Sequence, residues 1–377
     1  MKIICRKEDL LYGVQTASRA VSSKNELPIL SGIYLKAENN SLTFKATDQE
    51  IAIEVSVFCE VEEAGEIVVP GRYFNDLVKI LSDVPIILES YQPEQLIVKD
   101  NSSETLIRCL DPADFPAMPQ NTSGEISGKI SAKALRKLIK QVSIGISNDE
   151  VRQIFSGILV EIEKNQVNMI ATDTHRLALG SAVFAGDGQG MVILPSRTMQ
   201  EVLRMLAGVE ELIEIIINKN QVYFKILNII LTTRIISGQY PPYRQVLPAQ
   251  NLFKNNIVIN RQKMLAALEK GLLLNREASR NKTSIMTLKF SENNLNLSAV
   301  VPDIGRTKDD FAINLEGEEM QSSYNARYLA DALKVIDEDE ILMKMTGPTT
   351  PAIIEPLVDE EGISNFLYLI LPVRTIN

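Results

Sequence analysis

Tryptophan is absent, and histidine occurs once, at His175. The first absence decides little. The second means that a zinc site would have to rest mainly on carboxylates. Cysteine is scarce too: Cys5, Cys59 and Cys109 are an odd number, widely spread, with no CxxC pair. Reduced cytosolic thiols suit that pattern better than disulfides. Long apolar runs are missing, and stretches such as ILNIIL (226–231) are far too short to span a bilayer. The start MKIICRKEDL places charges by Arg6, so no secretory leader is expected there. Its Met-Lys-Ile-Ile-Cys beginning suggests a lipidated cysteine only superficially. Positive charge is outweighed, with 39 Lys and Arg against 48 Asp and Glu and a net charge of -9. Taken alone, that argues against a nucleic-acid partner, but a sum is not a distribution.

What is present is a globular composition. Apolar residues make up 45% of 377, enough for two or three domains with several cores. One stretch invites a chemical reading. ATDTHRLALG (171–180) holds Asp173, His175 and Arg176, which could serve as an orienting carboxylate, a base and an oxyanion cation.

An internal repeat changes that reading. KATDQEIAI at 45–53 resembles IATDTHRLA at 170–178, an offset of 125. Gly32 and Gly157, Gly65 and Gly190, Pro70 and Pro195, Arg72 and Arg197, and Phe115-Pro116 and Tyr240-Pro241 share the same offset. A fainter third copy aligns NARYLADALKVI (325–336) with GRYFNDLVKILS (71–82) and SRTMQEVLRMLA (196–207). Each carries a cation, an acid four residues on and a cation three further: Arg72/Asp76/Lys79, Arg197/Glu201/Arg204 and Arg327/Asp331/Lys334. Those spacings predict one helical face. An ordinary solvated face with internal ion pairs would read the same for any single helix.

Each copy predicts a helix (7–20, 131–144, 260–271), alternating strands, the second helix just quoted, and three more strands. Polar linkers lie near 118–125 and 248–256. The expectation is an α+β chain of three repeated domains, each with two helices and antiparallel sheet, at 1–121, 128–248 and 253–377. Thr-Asp recurs in the first copy, so it belongs to a scaffold turn, and only THRL is special to the second. The helical segments together carry +9, leaving -18 for the remainder of the chain. Segment 131–144 is the most basic, with Lys133, Arg136, Lys137 and Lys140 and no acid. A basic helix face in an acidic protein suits a phosphate surface; a solvated helix that happens to be basic is the plain alternative.

At this point the chain resembles the bacterial β sliding clamp family, the processivity subunit of DNA polymerase III. The resemblance spans the whole chain. It rests on ATDTHRLA, LPIL (27–30), VVPGRYF, VILPSRTMQEVLRML, YPPYRQVLP and the terminal LPVR. It implies a closed ring of two head-to-tail copies, with the helices lining a hole threaded by duplex DNA. Cations implied to face DNA are Lys24, Arg72, Lys79, Lys133, Arg136, Lys137, Lys140, Arg197, Arg204, Arg261, Lys263, Arg327 and Lys334. Contacts would be to phosphates, without sequence readout. No catalysis, cofactor or metal is implied.

The resemblance also implies a peptide pocket made by Phe155, Thr172, Thr174, His175, Arg176, Leu177, Pro241, Val246, Leu371, Pro372, Val373 and Arg374. Its ligands would be short clamp-binding peptides of the DNA polymerase catalytic subunit, the clamp loader and other proteins. Thr174, Phe155 and Gln245 depart from the common glycine, leucine and arginine, and the chain continues past Arg374. The homodimer seam would pair Thr105 and Ile107 with a surface near Leu272 and Leu273. The implied setting is the cytoplasm, without membrane contact. Three rivals are weaker. An enzyme built on Asp173/His175 has no partnered nucleophile. GDGQG (186–190) precedes a strand and not the helix N-terminus that a phosphate loop needs. A scaffold of this architecture without DNA would not be retained on a DNA circle.

Overall fold

The structure is a computed structural model that describes residues 1–22, 27–92, 94–118, 124–149, 151–278, 284–302, 304–357 and 365–374. Six α-helices occur among the described residues: α1 (Lys7–Ala17), α2 (Gly71–Ile80), α3 (Ala132–Ser143), α4 (Ser196–Met205), α5 (Arg261–Ala278) and α6 (Ala326–Val335). Most expected bounds hold to within about two residues, and two shift further. The first segment ends in a separate 3-10 turn, Ser18–Ala20. The segment expected to stop at 271 runs on to Ala278. Gly271 within it marks a close approach: a side chain there would collide with Met286 on the neighbouring strand. The helices are amphipathic as their spacing demands. In α2, Phe74, Leu77 and Val78 are buried while Arg72, Asp76 and Lys79 are exposed.

The chain divides into two compact units, 1–133 with 185–188 and 200–235, and 134–184 with 189–199 and 236–377. The first unit holds a five-stranded sheet in the order Glu60–Glu63, Lys2–Arg6, Pro85–Gln92, Gln95–Lys99, Glu104–Arg108. It also holds a nine-stranded sheet in which Ile229–Arg234 of the second repeat lies antiparallel to Ile51–Phe58 of the first. The second unit repeats the arrangement. Its nine-stranded sheet joins Phe366–Ile370 of the third repeat to Arg176–Val183 of the second. Its four-stranded sheet ends on Gly305–Ala312. The last strand of each later repeat thus completes the sheet of the repeat before it.

Two edges are left by this rule, Glu104–Arg108 in the first repeat and Gly305–Ala312 in the third. Leu106 on the first is 57% exposed, and no residue of the second is buried. GDGQG connects strand Ala185–Asp187 to strand Gly190–Pro195, with Gly188 at φ 91° making the turn. The three cysteines are free thiols in the cores. Burial pushes Cys5 and Cys109 up to about 12 and Cys59 up to about 11, so all three stay protonated near neutral pH.

Candidate partner-binding cavity and basic helix faces

The Thr-Asp turn is built twice with the same hydrogen bonds. Thr172 Oγ1 donates to Arg176 O (2.6 Å) and accepts from Thr174 N–H (3.1 Å). In the first repeat Thr47 Oγ1 donates to Ile51 O (2.9 Å) and accepts from Gln49 N–H (3.0 Å). Asp173 Oδ1 accepts from the backbone of His175 (2.9 Å) and Arg176 (3.0 Å), as Asp48 Oδ1 does from Glu50 (3.0 Å) and Ile51 (2.9 Å). These are side-chain caps on a tight turn. Gln49 and Thr174 both take positive φ, 74° and 79°. That region suits glycine, and a β-branched residue there is strained. Asp173 Oδ2 accepts from Arg176 Nε (3.0 Å), so the carboxylate holds the turn and does not orient the exposed His175 ring.

Beside the second turn is a cavity of about 200 Å³. Of the twelve expected pocket residues, Phe155, Thr172, Thr174, Arg176, Leu177, Pro241, Val246 and Leu371 line it. His175, Pro372, Val373 and Arg374 do not. His175 contributes through its backbone carbonyl, which accepts from Leu371 N–H (3.0 Å), and Val373 N–H donates to Ser323 O (2.8 Å). Three lining residues went unread in the sequence: Tyr240, Tyr243 and Leu369. The tyrosines flank a proline motif already quoted. Leu369 arrives because its strand sets it opposite Leu177 in register, which no local pattern announces.

The proline segment is clamped from behind. Tyr243 donates its hydroxyl to buried Glu161 (2.6 Å), and Arg244 donates to the same oxygen (2.7 Å). Burial, followed by the Glu161 carboxylate, pushes the Tyr243 phenol up. Phe155 meets Tyr240 edge to face at 6.0 Å. Arg176 faces α6, where its Nη1 donates to Asp331 (2.8 Å) and its guanidinium lies 4.0 Å from the Tyr328 ring centre.

The first repeat's turn borders a twin cavity of about 220 Å³ with a different lining. Equivalent strand positions carry Ala52 for Leu177, Thr232 for Leu369 and Arg234 for Leu371. One backbone design therefore makes two cavities, of which the second is walled by leucines.

The helix faces are basic to different degrees. Lys133, Lys137 and Lys140 of α3 are exposed and Arg136 is half-buried. Lys137 has Glu338 at 3.5 Å and Asp337 at 3.7 Å, so its charge is partly neutralised. Arg72, Arg197, Arg204, Lys263, Arg327 and Lys334 are also exposed. Lys334 pairs with Glu269 (3.2 Å). Arg261 turns inward and donates to Glu338 O (2.7 Å) and Leu333 O (3.2 Å). Lys24 lies outside the described residues.

The three matched acids do not share one role. Asp76 pairs with Lys79 (3.1 Å) on its own helix. Glu201 is buried between Arg204 and Arg19, and Asp331 takes Arg176. At the positions expected to form a dimer seam, Thr105 is half-buried, Ile107 faces its own core and Leu106 projects instead; Leu272 is half-buried and Leu273 is 63% exposed. Among the described residues, no cluster of three or more His, Cys, Asp or Glu side chains could hold a metal, and no helix is long and apolar enough to cross a membrane.

Thr172→Ala should cost about 1–2 kcal/mol, since it removes both hydroxyl bonds of the turn. Thr174→Gly should be neutral or stabilising by up to about 1 kcal/mol, because relief of the positive φ offsets the added unfolded-state entropy. Denaturant unfolding of the full chain separates the two. A Thr172→Ala midpoint no lower than that of Thr174→Gly would mean the hydroxyl does not hold the turn.

Comparison with known proteins now adds to the geometry. Residues 1–119, 129–242 and 244–374 match the N-terminal, central and C-terminal domains of the DNA polymerase III beta subunit family. The beta sliding clamp of Bacillus subtilis is 32% identical over 386 residues, covering all of both chains, and that of Staphylococcus aureus is 29% identical with the same coverage. The crystal structure of the B. subtilis DNA polymerase sliding clamp superposes with a TM-score of 0.93 at 30% identity over the whole of both chains. A Pseudomonas aeruginosa sliding clamp bound to griselimycin gives 0.91 at 26%, again over both whole chains. The three repeated domains, the antiparallel sheets and the full-length likeness place the chain in the bacterial β sliding clamp family, as a non-catalytic processivity factor of DNA replication.

Proposed function

We propose that two copies of this chain close head to tail around duplex DNA and tether replication proteins through the leucine-walled cavity. The observation that carries the ring is the pair of leftover edges. Within the chain, the last strand of each later repeat pairs with the third sheet strand of the one before. Among the described residues, Glu104–Arg108 is a last strand without such a partner, and Gly305–Ala312 a third strand without one. A second copy satisfies both at once, and two such seams close a ring in which neither of these edges is left unpaired. Carrying the internal register across sets Arg306 opposite Leu106, Thr307 opposite Thr105 and Lys308 opposite Glu104 of the partner copy. The last two pairings join hydroxyl to hydroxyl and cation to acid, which supports the register. Leu272 and Leu273 of α5 would flank the same seam.

In this reading the domains are 1–121, 128–248 and 253–377, and the helices face DNA through phosphate contacts alone, which permits sliding. Lys133, Arg136 and Lys140 would lead. Arg72, Lys79, Arg197, Arg204, Lys263, Arg327 and Lys334 would add to them, with Lys24 in the same role. Lys137 would contribute less because of its acidic neighbours, and Arg261 least. The cavity would take short apolar peptides of the polymerase catalytic subunit, the clamp loader and other replication and repair proteins. The protein would work in the cytoplasm by topology, raising the local concentration of whatever it holds.

Retention on DNA tests the ring. Protein loaded on a nicked circle should co-elute with it through gel filtration and be lost on linearisation; equal loss from both forms would sink the topological reading. Each of Lys133→Ala, Arg136→Ala and Lys140→Ala should lower the log–log salt slope of DNA contact by roughly 0.9, and Lys137→Ala by less.

The seam has its own test. Lys308→Glu should weaken dimerisation, since like charges then meet at two seams, each pair being worth about 0.2–1 kcal/mol. Adding Glu104→Lys should restore it. Sedimentation across nanomolar to micromolar concentrations decides, and a double variant no tighter than the single would reject this register.

For the cavity, deletion of 371–377 removes a lining leucine. It should abolish binding of a polymerase-derived peptide in calorimetry while leaving the dimer mass intact. One buried leucine-sized anchor contributes roughly 1.5–3 kcal/mol. Equal peptide affinity before and after deletion would reject the cavity assignment.

A further inference from the structure

Glu161 lies within strand Gly157–Glu163 and is 3% exposed. A carboxylate is costly to bury unless it is paired and hydrogen-bonded. Glu161 is both, and its three donors reach the same oxygen. Oε2 accepts from the Tyr243 hydroxyl (2.6 Å), from Arg244 Nη2 (2.7 Å) and from Asn168 Nδ2 (3.4 Å) on the neighbouring strand. Arg244 Nη2 also reaches Glu163 (3.2 Å), and its guanidinium lies 5.4 Å from the centre of the Tyr243 ring.

What this carboxylate holds is a wall. Tyr240, Pro241, Tyr243 and Val246 supply one side of the leucine-walled cavity. They belong to a segment with one short 3-10 turn, Tyr243–Gln245, and no strand. Among the described residues, the main-chain hydrogen bonds of 240–246 are internal: Gln245 N–H to Pro242 O (3.0 Å) and Val246 N–H to Tyr243 O (3.0 Å). No ladder therefore ties this wall to the sheet beneath it. Side chains do. Both tyrosine rings pack in the apolar cluster with Leu159, and Tyr243 and Arg244 bond to Glu161. Leu159 and Glu161 are two residues apart on one strand and share a face. The leucine cushions the wall and the carboxylate pins it, while Glu161 itself does not line the cavity.

The first repeat has the cavity but not the pin. At the shared offset of 125, Lys36 stands for Glu161 and Met118 for Tyr243. Lys36 pairs with Glu38 (2.7 Å) on its own strand, and methionine has no hydroxyl to donate. Met118 lines the twin cavity as Tyr243 lines this one. Of the two junctions within the chain, only the one with leucine walls carries the pin.

We propose that Glu161 is a positioning residue for the partner-binding cavity: by holding Tyr243 and Arg244 it keeps the 240–246 wall in its binding conformation before any peptide arrives. This rests on the peptide-binding reading above. A wall ordered in advance need not be ordered at the moment of binding, so affinity rises without contact between Glu161 and the peptide. With the pin removed, only the ordered fraction of molecules is competent, and apparent affinity falls by that fraction. Such a loss appears in the association rate, whereas a lost contact appears in the dissociation rate.

Stopped-flow fluorescence with a labelled, blocked pentapeptide carrying two leucines tests this on the full chain. Wild type is compared with Glu161→Gln, Tyr243→Phe and the double variant, with melting temperatures in parallel. Glu161→Gln keeps the shape of the side chain and removes its charge. Tyr243→Phe keeps the ring that lines the cavity and removes only the hydroxyl, and it decides alone if the glutamine variant does not fold. Each should bind roughly three- to tenfold more weakly, the cost of ordering one or two side chains on binding. Most of that loss should lie in slower association. The double variant should lose less than the product of the two single losses, because both break one interaction. The salt slope of DNA contact should not change.

Unchanged affinity in the single variants overturns the proposal. So does a loss carried by faster dissociation, which would put these groups in contact with the peptide. A double variant whose losses multiply also overturns it, since Glu161 and Tyr243 would then act independently. Wild type that binds no peptide overturns the peptide site itself and this inference with it.

Discussion

The main-chain ladder that splices one repeat onto the next is the interaction on which everything else depends. Strand Ile229–Arg234 lies on Ile51–Phe58, and Phe366–Ile370 lies on Arg176–Val183. A sheet edge with unpaired N–H and C=O groups is costly to bury and hazardous to expose. Here each repeat lends its last strand to cover the edge of its predecessor. The ladder is indifferent to side chains, so the junction can be copied while its surface diverges. It also sets the cavity, because the spliced strand brings Leu369 and Leu371 beside the turn that presents Thr172, Thr174 and Leu177.

That separation of backbone from side chain explains why one junction offers a cavity for apolar groups and its twin does not. Both turns keep threonine and aspartate, whose oxygens replace main-chain bonds, and both tolerate a positive φ at the next residue. The positions free to vary are those that point into the cavity. Leucines there produce an apolar wall; alanine, threonine and arginine produce a more polar one. The single histidine lies next to the cavity, but its backbone carbonyl and not its ring does the holding.

Charge follows the same logic. The helical segments carry a net +9 and the remainder of the chain a net -18, so a net of -9 coexists with basic helix faces. Their local partners differ, and a cation already paired within 4 Å has less to offer a phosphate. Lys137 beside Glu338 and Lys334 beside Glu269 are thus unequal to Lys263 or Arg327.

The sequence by itself determined what is local or repeated. Six helices follow from apolar spacing. The Thr-Asp turns follow from residues that cap their own backbone, and the threefold organisation follows from glycines, prolines and arginines recurring at a fixed offset. Eight of the residues that line the cavity were legible because they sit in recognisable motifs. Only the tertiary structure decided which strand lies on which and what each charge touches. Leu369 meets Leu177 through a register set by hydrogen bonds between strands far apart in the chain, and Arg176 meets Asp331 across 155 residues. The matched acids Asp76, Glu201 and Asp331 look alike along the chain, yet one pairs within its helix, one is buried between two arginines and one pairs with an arginine of the repeat before it. Periodicity states which face of an element is apolar. It does not state what that face meets, because the partner is chosen by ladder register and packing over distances that local pattern does not encode.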